Sequence, residues 1–247
     1  MTPVDKPAMT PVEEPGTTRL DEPATTPVAN AAMTPGGKPP WWDDATIALS
    51  AADPVLAGLV VAYPGLHLAR RSDPFTTLAR AIVGQQISVK AAQAIWDRLA
   101  AATGAVGTPP RLDPARLCRM RLPALTKVGL SGRKAEYLRD LAGHFRSGAL
   151  DPSTWPALDD ESLIEALVDV KGIGRWTAEM FLIFHELRPD VLPLDDIGLQ
   201  KAIALHYFGG KRRARSTLER LARRWRPYRS AATWYLWRSL DPIPVEY

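Results

Sequence analysis

Residues 170–184, "VKGIGRWTAEMFLIF", decide how the rest of the chain is read. The stretch opens as a glycine hairpin, Gly172 and Gly174 around Ile173, and closes as an apolar helix. A Gly-x-Gly turn between two helices leaves the first N–H groups of the second helix without partners in that helix. Those groups, with the helix dipole behind them, suit one phosphate, and Lys171 and Arg175 add positive charge on either side of the turn. A double-glycine turn also serves simply to let two helices pack closely, and the spacing alone leaves both readings open. Trp176, a bulky aromatic set between Arg175 and Thr177, has no role in either.

Composition narrows the surroundings. Residues 1–40 hold nine of the 23 prolines, no aromatic residue and a loose Met-Thr-Pro repetition at Met1, Met9 and Met33. Such a segment cannot bury enough apolar surface to offset ordering entropy and is expected to be a disordered Pro/Thr-rich tail. Its acidic residues argue against an organelle transit peptide, and no run of about 18 apolar residues predicts a membrane span. A single cysteine, Cys118, excludes an internal disulfide and a four-cysteine iron-sulfur cluster, and a reducing intracellular compartment fits. Residues 41–247 carry 28 Lys and Arg against 22 Asp and Glu. The surplus is concentrated in Lys211–Arg229, "KRRARSTLERLARRWRPYR", with nine basic residues and one acidic. Such a stripe suits a polyanion, and it equally suits a solvated helix face.

The ordered chain is expected to begin at Trp41-Trp42, with Asp43 or Asp44 capping a first helix. Helical spacing runs from Leu78 to Ala101 with an interruption at Gly84. Further helices are expected over Leu117 to Met120, Lys134 to Phe145, Ser162 to Val168, the segment after Gly174, Ile197 to Phe208, Ser216 to Trp225 and Arg229 to Leu240. No alternating strand pattern exceeds four residues, so the fold class is all-α with many short helices.

Four stretches occur in order: "AIVGQQISVKAA" (81–92), "VKGIGRWTAEMF" (170–181), "LPLDDIGLQKA" (192–202) and "WRPYRSAATWYLW" (225–237). Together they resemble the helix-hairpin-helix DNA glycosylases of the HhH-GPD superfamily, in particular the 3-methyladenine DNA glycosylase II branch. The resemblance covers 41–247 and leaves the tail outside it. It implies two helical subdomains flanking a DNA-binding cleft, 78–190 against 41–77 with 191–247. Its implied activity is hydrolysis of the bond between an alkylated base and deoxyribose in double-stranded DNA. A monomer with no required cofactor, working in the bacterial cytoplasm on nucleoid DNA, is what it leads one to expect.

Site residues follow from the resemblance position by position. Lyase-active relatives carry a nucleophilic lysine where this chain has Trp176, and an indole has no amine with which to form a Schiff base. Trp176 then becomes an aromatic wall for a flipped base, with Trp237 as a second. Met180, one helical turn after Trp176, joins them where a well-known relative has tyrosine. A Trp and a Met at that spacing also describe an ordinary core face. Asp196 is the implied catalytic carboxylate, stabilising positive charge on the sugar or orienting water. Asp195 and Asp196 also read as routine helix caps, and the two roles are compatible, since a helix N-terminus favours a carboxylate. Gln86 occupies the position of the side chain that fills the gap left by the flipped base, or else it and Gln85 cap a broken helix. Lys171, Gly172, Gly174, Arg175 and Thr177 are the implied DNA contacts. The carbonyls of Val168, Val170 and Ile173 are the implied ligands of a structural Na+ or K+. The alternatives are a non-catalytic helix-hairpin-helix DNA-binding scaffold, disfavoured by the joint presence of Asp196, Trp176 and Trp237, and a glycosylase for another damaged base.

Overall fold

The computed structural model describes residues 37–70 and 72–240. All but the last four residues of the expected tail lie outside the described residues. Those four already belong to the fold: Lys38 pairs with Asp43 at 2.6 Å and the Pro39 carbonyl accepts the Trp42 N–H at 3.0 Å. Among the described residues there are twelve α-helices and no strand beyond one isolated bridge between Val106 and Arg111.

The first helices are α1 (Trp42–Ala52), α2 (Pro54–Ala62), α3 (Pro74–Gly84) and α4 (Val89–Thr103). Trp41 is the residue before α1 and makes no side-chain cap, so Asp43 and Asp44 sit inside the first turn rather than capping it. There their charge still favours the helix N-terminus. The break expected at Gly84 is real. Next come α5 (Pro114–Arg119), α6 (Leu122–Lys127), α7 (Gly132–Ser147) and α8 (Asp160–Val168). The hairpin leads into α9 (Arg175–Phe184), followed by α10 (Ile197–Phe208), α11 (Arg215–Ala222) and α12 (Arg229–Leu240). Residues 216–225, expected as one helix, are instead α11 and a 3₁₀ turn over Arg223–Trp225.

Helix contacts fall into two groups. In one, α1, α2, α10 and α12 pack on each other, with α11 joined to them through the 3₁₀ turn. In the other, α7 packs against α3, α5 and α6, while α3 also touches α4 and α9, and α8 lies on α9. A division at 77/78 would cut α3 inside its first turns, so 74 is the natural break. A single apolar cluster, from Trp41 to Leu236, runs through both groups.

Asp53 ties the first group together. It is fully buried, caps α2 through the N–H groups of Val55 and Leu56, and accepts from the Tyr207 hydroxyl at 2.9 Å and the Trp225 indole at 2.8 Å. Arg224 lies 3.2 Å away and balances its charge, as a buried carboxylate requires. Residues 185–196 cross between the groups and are pinned on both sides. Trp41 donates to the Leu187 carbonyl at 2.9 Å and Arg70 to the His185 carbonyl at 2.7 Å, while Ser230 brackets Asp190, its backbone N–H donating to the Pro189 carbonyl and its hydroxyl oxygen accepting the Val191 N–H, both at 2.9 Å. Arg229 makes a two-pronged pair with the Asp190 carboxylate, at 2.7 and 2.8 Å. That crossing segment delivers Asp196 to the start of α10.

Candidate active site

Asp196 is the N-cap of α10, and its Oδ1 accepts the Leu199 N–H at 2.6 Å. The same oxygen accepts the Trp237 indole N–H at 2.8 Å, and Oδ2 accepts the Trp176 indole N–H at 3.0 Å. Three donors from α9, α10 and α12 therefore converge on one carboxylate, which in this arrangement acts purely as an acceptor. Asp196 is thus the helix cap that its place before α10 suggests, and the same carboxylate meets both indoles. Asp195, one residue earlier, turns instead to Arg215 at 2.6 Å in an exposed pair.

Gly198 leaves room beside the carboxylate: a Cβ built there would lie a tight 3.0 Å from Asp196 Oδ1 and at contact distance, 3.4 Å, from two Trp237 ring atoms, so a larger residue would crowd Asp196 first.

Trp176, Met180 and Phe184 follow one another at i, i+4 and i+8 along one face of α9. Trp176 is 38% exposed, which removes it from the core, while Met180 and Phe184 are half-buried against it. Phe184 stacks on Trp237 with centroids 5.6 Å apart and planes 14° from parallel. One face of Trp237 is thus covered by protein. Phe184 was not singled out from the sequence, because within "EMFLIF" it reads as one more core residue; its signal was the continuation of the Trp176–Met180 spacing.

At the hairpin, Gly172 has φ +85°, and a Cβ there would fall 2.1 Å from the Tyr137 ring. Gly172 is therefore required by both conformation and space. Gly174 is the N-cap of α9 with an ordinary φ of −91° and open space around it, and no side chain caps this helix. The start of α9, Gly174 to Trp176, is exposed. Thr177 lies half-buried in that first turn. The Lys171 backbone N–H is anchored to Asp140 at 2.9 Å while its side chain stays exposed. Arg175 differs from expectation: its guanidinium is committed to Glu161 and to Glu179, the latter at 3.1 Å, so it braces α8 against α9 rather than standing free beside the turn.

The side chain that caps α4 is Ser88, and neither Gln85 nor Gln86 caps a helix with its side chain among the described residues. Gln85 is the residue after α3, and its side-chain amide donates to the Gly172 carbonyl at 2.8 Å. Gln86 is exposed, with the left-handed φ of +57° that a side chain rarely adopts.

A charged cavity lies nearby, lined by Arg175, Glu179, Asp190, Arg215 and Arg226 among others, but Trp176, Asp196 and Trp237 do not line it. Burial raises the Glu179 carboxyl above its ordinary range, and its Oε2 is buried without a partner. Among the described residues no group of three or more His, Cys, Asp and Glu could hold a metal.

An all-α fold in which a glycine hairpin feeds one helix, and a carboxylate gathers two indoles across that helix and the last one, defines a helix-hairpin-helix protein with an acidic site. The chain belongs to the HhH-GPD superfamily of base excision DNA repair proteins, whose family model matches residues 79–227. A putative DNA-3-methyladenine glycosylase of Bacillus subtilis is 30% identical over 75% of this chain, and the chain spans 66% of that relative's length. The crystal structure of a DNA-3-methyladenine glycosidase from Bacillus halodurans matches with a TM-score of 0.74 and 34% identity, over 80% of this chain and 89% of that one. The 3-methyladenine DNA glycosylase Mag1 of Schizosaccharomyces pombe, solved with abasic DNA, matches with a TM-score of 0.66 and 31% identity, over 83% of this chain and 98% of that one.

Proposed function

We propose that the chain is a monofunctional DNA glycosylase that takes alkylated bases, of the 3-methyladenine or 7-methylguanine type, out of double-stranded DNA and hydrolyses the N-glycosidic bond in base excision repair. The observation that carries this reading is the convergence of the Trp176 and Trp237 N–H groups on Asp196. A binding scaffold has no need of a carboxylate oriented by two indoles.

The chemistry follows from the substrate. A purine alkylated at N3 or N7 carries positive charge while bonded to the sugar, so it leaves with the bonding electron pair as a neutral base and needs no proton from an acid. Positive charge then passes to the sugar, where the Asp196 carboxylate stabilises it. Water adds to the anomeric carbon and loses one proton to Asp196 or to solvent, leaving an intact abasic strand. The indole N–H bonds fix the carboxylate before the charge develops, so little reorganisation accompanies the reaction. They also fix the planes of the two rings, leaving faces on which an electron-poor base can stack at ~1 kcal/mol or more. With Trp176 at the position of the lyase lysine, no amine attacks the sugar there.

In this reading the uncapped start of α9 grips a backbone phosphate, with Lys171 and Thr177 beside it, and Gln86 enters the duplex as the base leaves. A Na+ or K+ on the carbonyls of Val168, Val170 and Ile173 fits the turn. The last carbonyls of α8 present the negative end of its dipole there, and the Val170 oxygen, though it accepts the Ile173 N–H at 3.0 Å, keeps a second lone pair. The protein acts as a monomer on chromosomal DNA; no described helix is long and apolar enough to cross a membrane.

The test is to incubate the protein with methylated duplex DNA and identify the released bases by chromatography. Release of free 3-methyladenine or 7-methylguanine by the wild type and not by Asp196→Asn is the expected result. Tight DNA binding with no free base from any alkylated duplex would make the chain a binding scaffold.

A further inference from the structure

Lys134 lies in the first turn of α7, where a positive charge opposes its own helix dipole. Its ammonium is partly buried, and among the described residues no ion pair joins it to a carboxylate. Instead Nζ donates to two backbone carbonyls, Val83 at 2.8 Å and Gln85 at 2.6 Å. Both belong to the end of α3, where carbonyls lose their intrahelical partners and the dipole is negative. They bracket Gly84 and stand directly before Gln86, the exposed residue held at φ +57°. The same turn is fastened a second time through the Gln85 side chain to the Gly172 carbonyl at 2.8 Å.

We infer that Lys134 is a positioning residue for base extrusion: with Gln85 it locks the α3 C-terminal turn so that Gln86 is presented to the duplex in a strained, preset conformation coupled to the hairpin. This rests on the glycosylase reading and goes beyond it by assigning the wedge its support. A left-handed residue relaxes unless its surroundings hold it, and the two contacts from Lys134 act on the carbonyl of Gln85, which immediately precedes Gln86, and on that of Val83, on the other side of Gly84. The link from Gln85 to Gly172 makes the phosphate-gripping turn and the wedge one rigid piece. A phosphate seated on the hairpin thereby fixes where Gln86 enters.

A merely structural lysine and a positioning one separate on the state of the target base. Single-turnover release is measured from a duplex with one 7-methylguanine paired to cytosine, and from the same strand with that guanine opposite an abasic site, where pairing no longer has to be broken. Lys134→Met and Gln86→Ala should each slow release from the paired duplex by about tenfold or more and from the unpaired one by only about twofold. The double variant should be no slower than the slower single, and Lys134→Arg, which keeps donors for both carbonyls, should restore the paired rate. Equal loss on both duplexes, additive losses, or no loss would overturn the assignment. Should Lys134→Met fail to fold, Gln85→Ala carries the same comparison. If the wild type releases no base from either duplex, the glycosylase reading fails instead, and fluorescence of 2-aminopurine beside a stable abasic analogue decides the inference on its own. Binding of the wild type must then unstack the 2-aminopurine, and Lys134→Met must not; any other result overturns it.

Discussion

Replacing Asp196 with asparagine keeps shape and keeps a capping oxygen for Leu199, since asparagine caps a helix as well as aspartate. What it cannot keep is acceptance on both oxygens: with the capping oxygen still turned to Leu199 and Trp237, the new amide group would face the Trp176 indole N–H, donor against donor. Asp196→Asn should therefore lower base release by about 100-fold or more with DNA binding intact, checked by single-turnover kinetics beside a binding titration. Asp195→Asn removes only an exposed pair with Arg215, and should cost no more than about 1 kcal/mol of stability and leave release within a few-fold of wild type. Trp176→Ala should weaken release of cationic alkylated bases by ~1 to 3 kcal/mol, and of neutral damaged bases less, because only the former gain a cation-π term. Borohydride should trap no complex between the wild type and DNA. Trapping would give the lyase role to an amine elsewhere, with Lys171 the first to examine.

At the scale of elements, the hairpin separates two glycines that look equivalent in the sequence. Gly172→Ala must both hold a left-handed backbone and displace the Tyr137 ring, and should destabilise the protein by more than about 2 kcal/mol in urea unfolding. Gly174→Ala meets neither obstacle and should leave unfolding nearly unchanged while weakening DNA binding, since any cost arises from a phosphate approaching the start of α9. Most helices were legible because their apolar spacing and caps were local. The helix α2 was missed: "PVLAGLVVA" is apolar on every side and gives no period, and its real signal was the pair Asp53-Pro54, a cap followed by a helix-starting proline. Likewise α6, only six residues long, is too short for spacing to show. The site was legible only in part. Motif order pointed to Trp176, Asp196 and Trp237, but their junction spans 20 and 41 residues of sequence, and no periodicity reports a bond of that range.

Across the whole molecule, the basic stripe resolves into two populations. Arg215, Arg224 and Arg229 are tied to Asp195, Asp53 and Asp190 and serve the fold, whereas Lys211, Arg212 and Arg220 stand exposed without an ion pair among the described residues. DNA affinity should fall steeply as salt rises, and Arg212→Ala should reduce that slope by about one while leaving stability unchanged. Stability has its own pH dependence at the base of the hairpin. Burial alone would lower the His144 imidazole, but its bond to the Asp140 carbonyl, its bond to Asp169 and both carboxylate charges outweigh burial and raise it. A folded value above the unfolded one contributes stability that is complete below the ordinary histidine range and lost as pH rises through the raised value. Thermal stability should therefore decline by no more than about 1 kcal/mol between about pH 6 and 8, and His144→Gln should flatten the decline. The paired indoles give the molecule one more property. Of its eight tryptophans, only Trp176 and Trp237 donate to Asp196, so in a nitrogen-proton NMR spectrum two indole cross-peaks should move together whenever anything engages that carboxylate. The site thus carries its own pair of reporters, readable without a substrate analogue or an attached label.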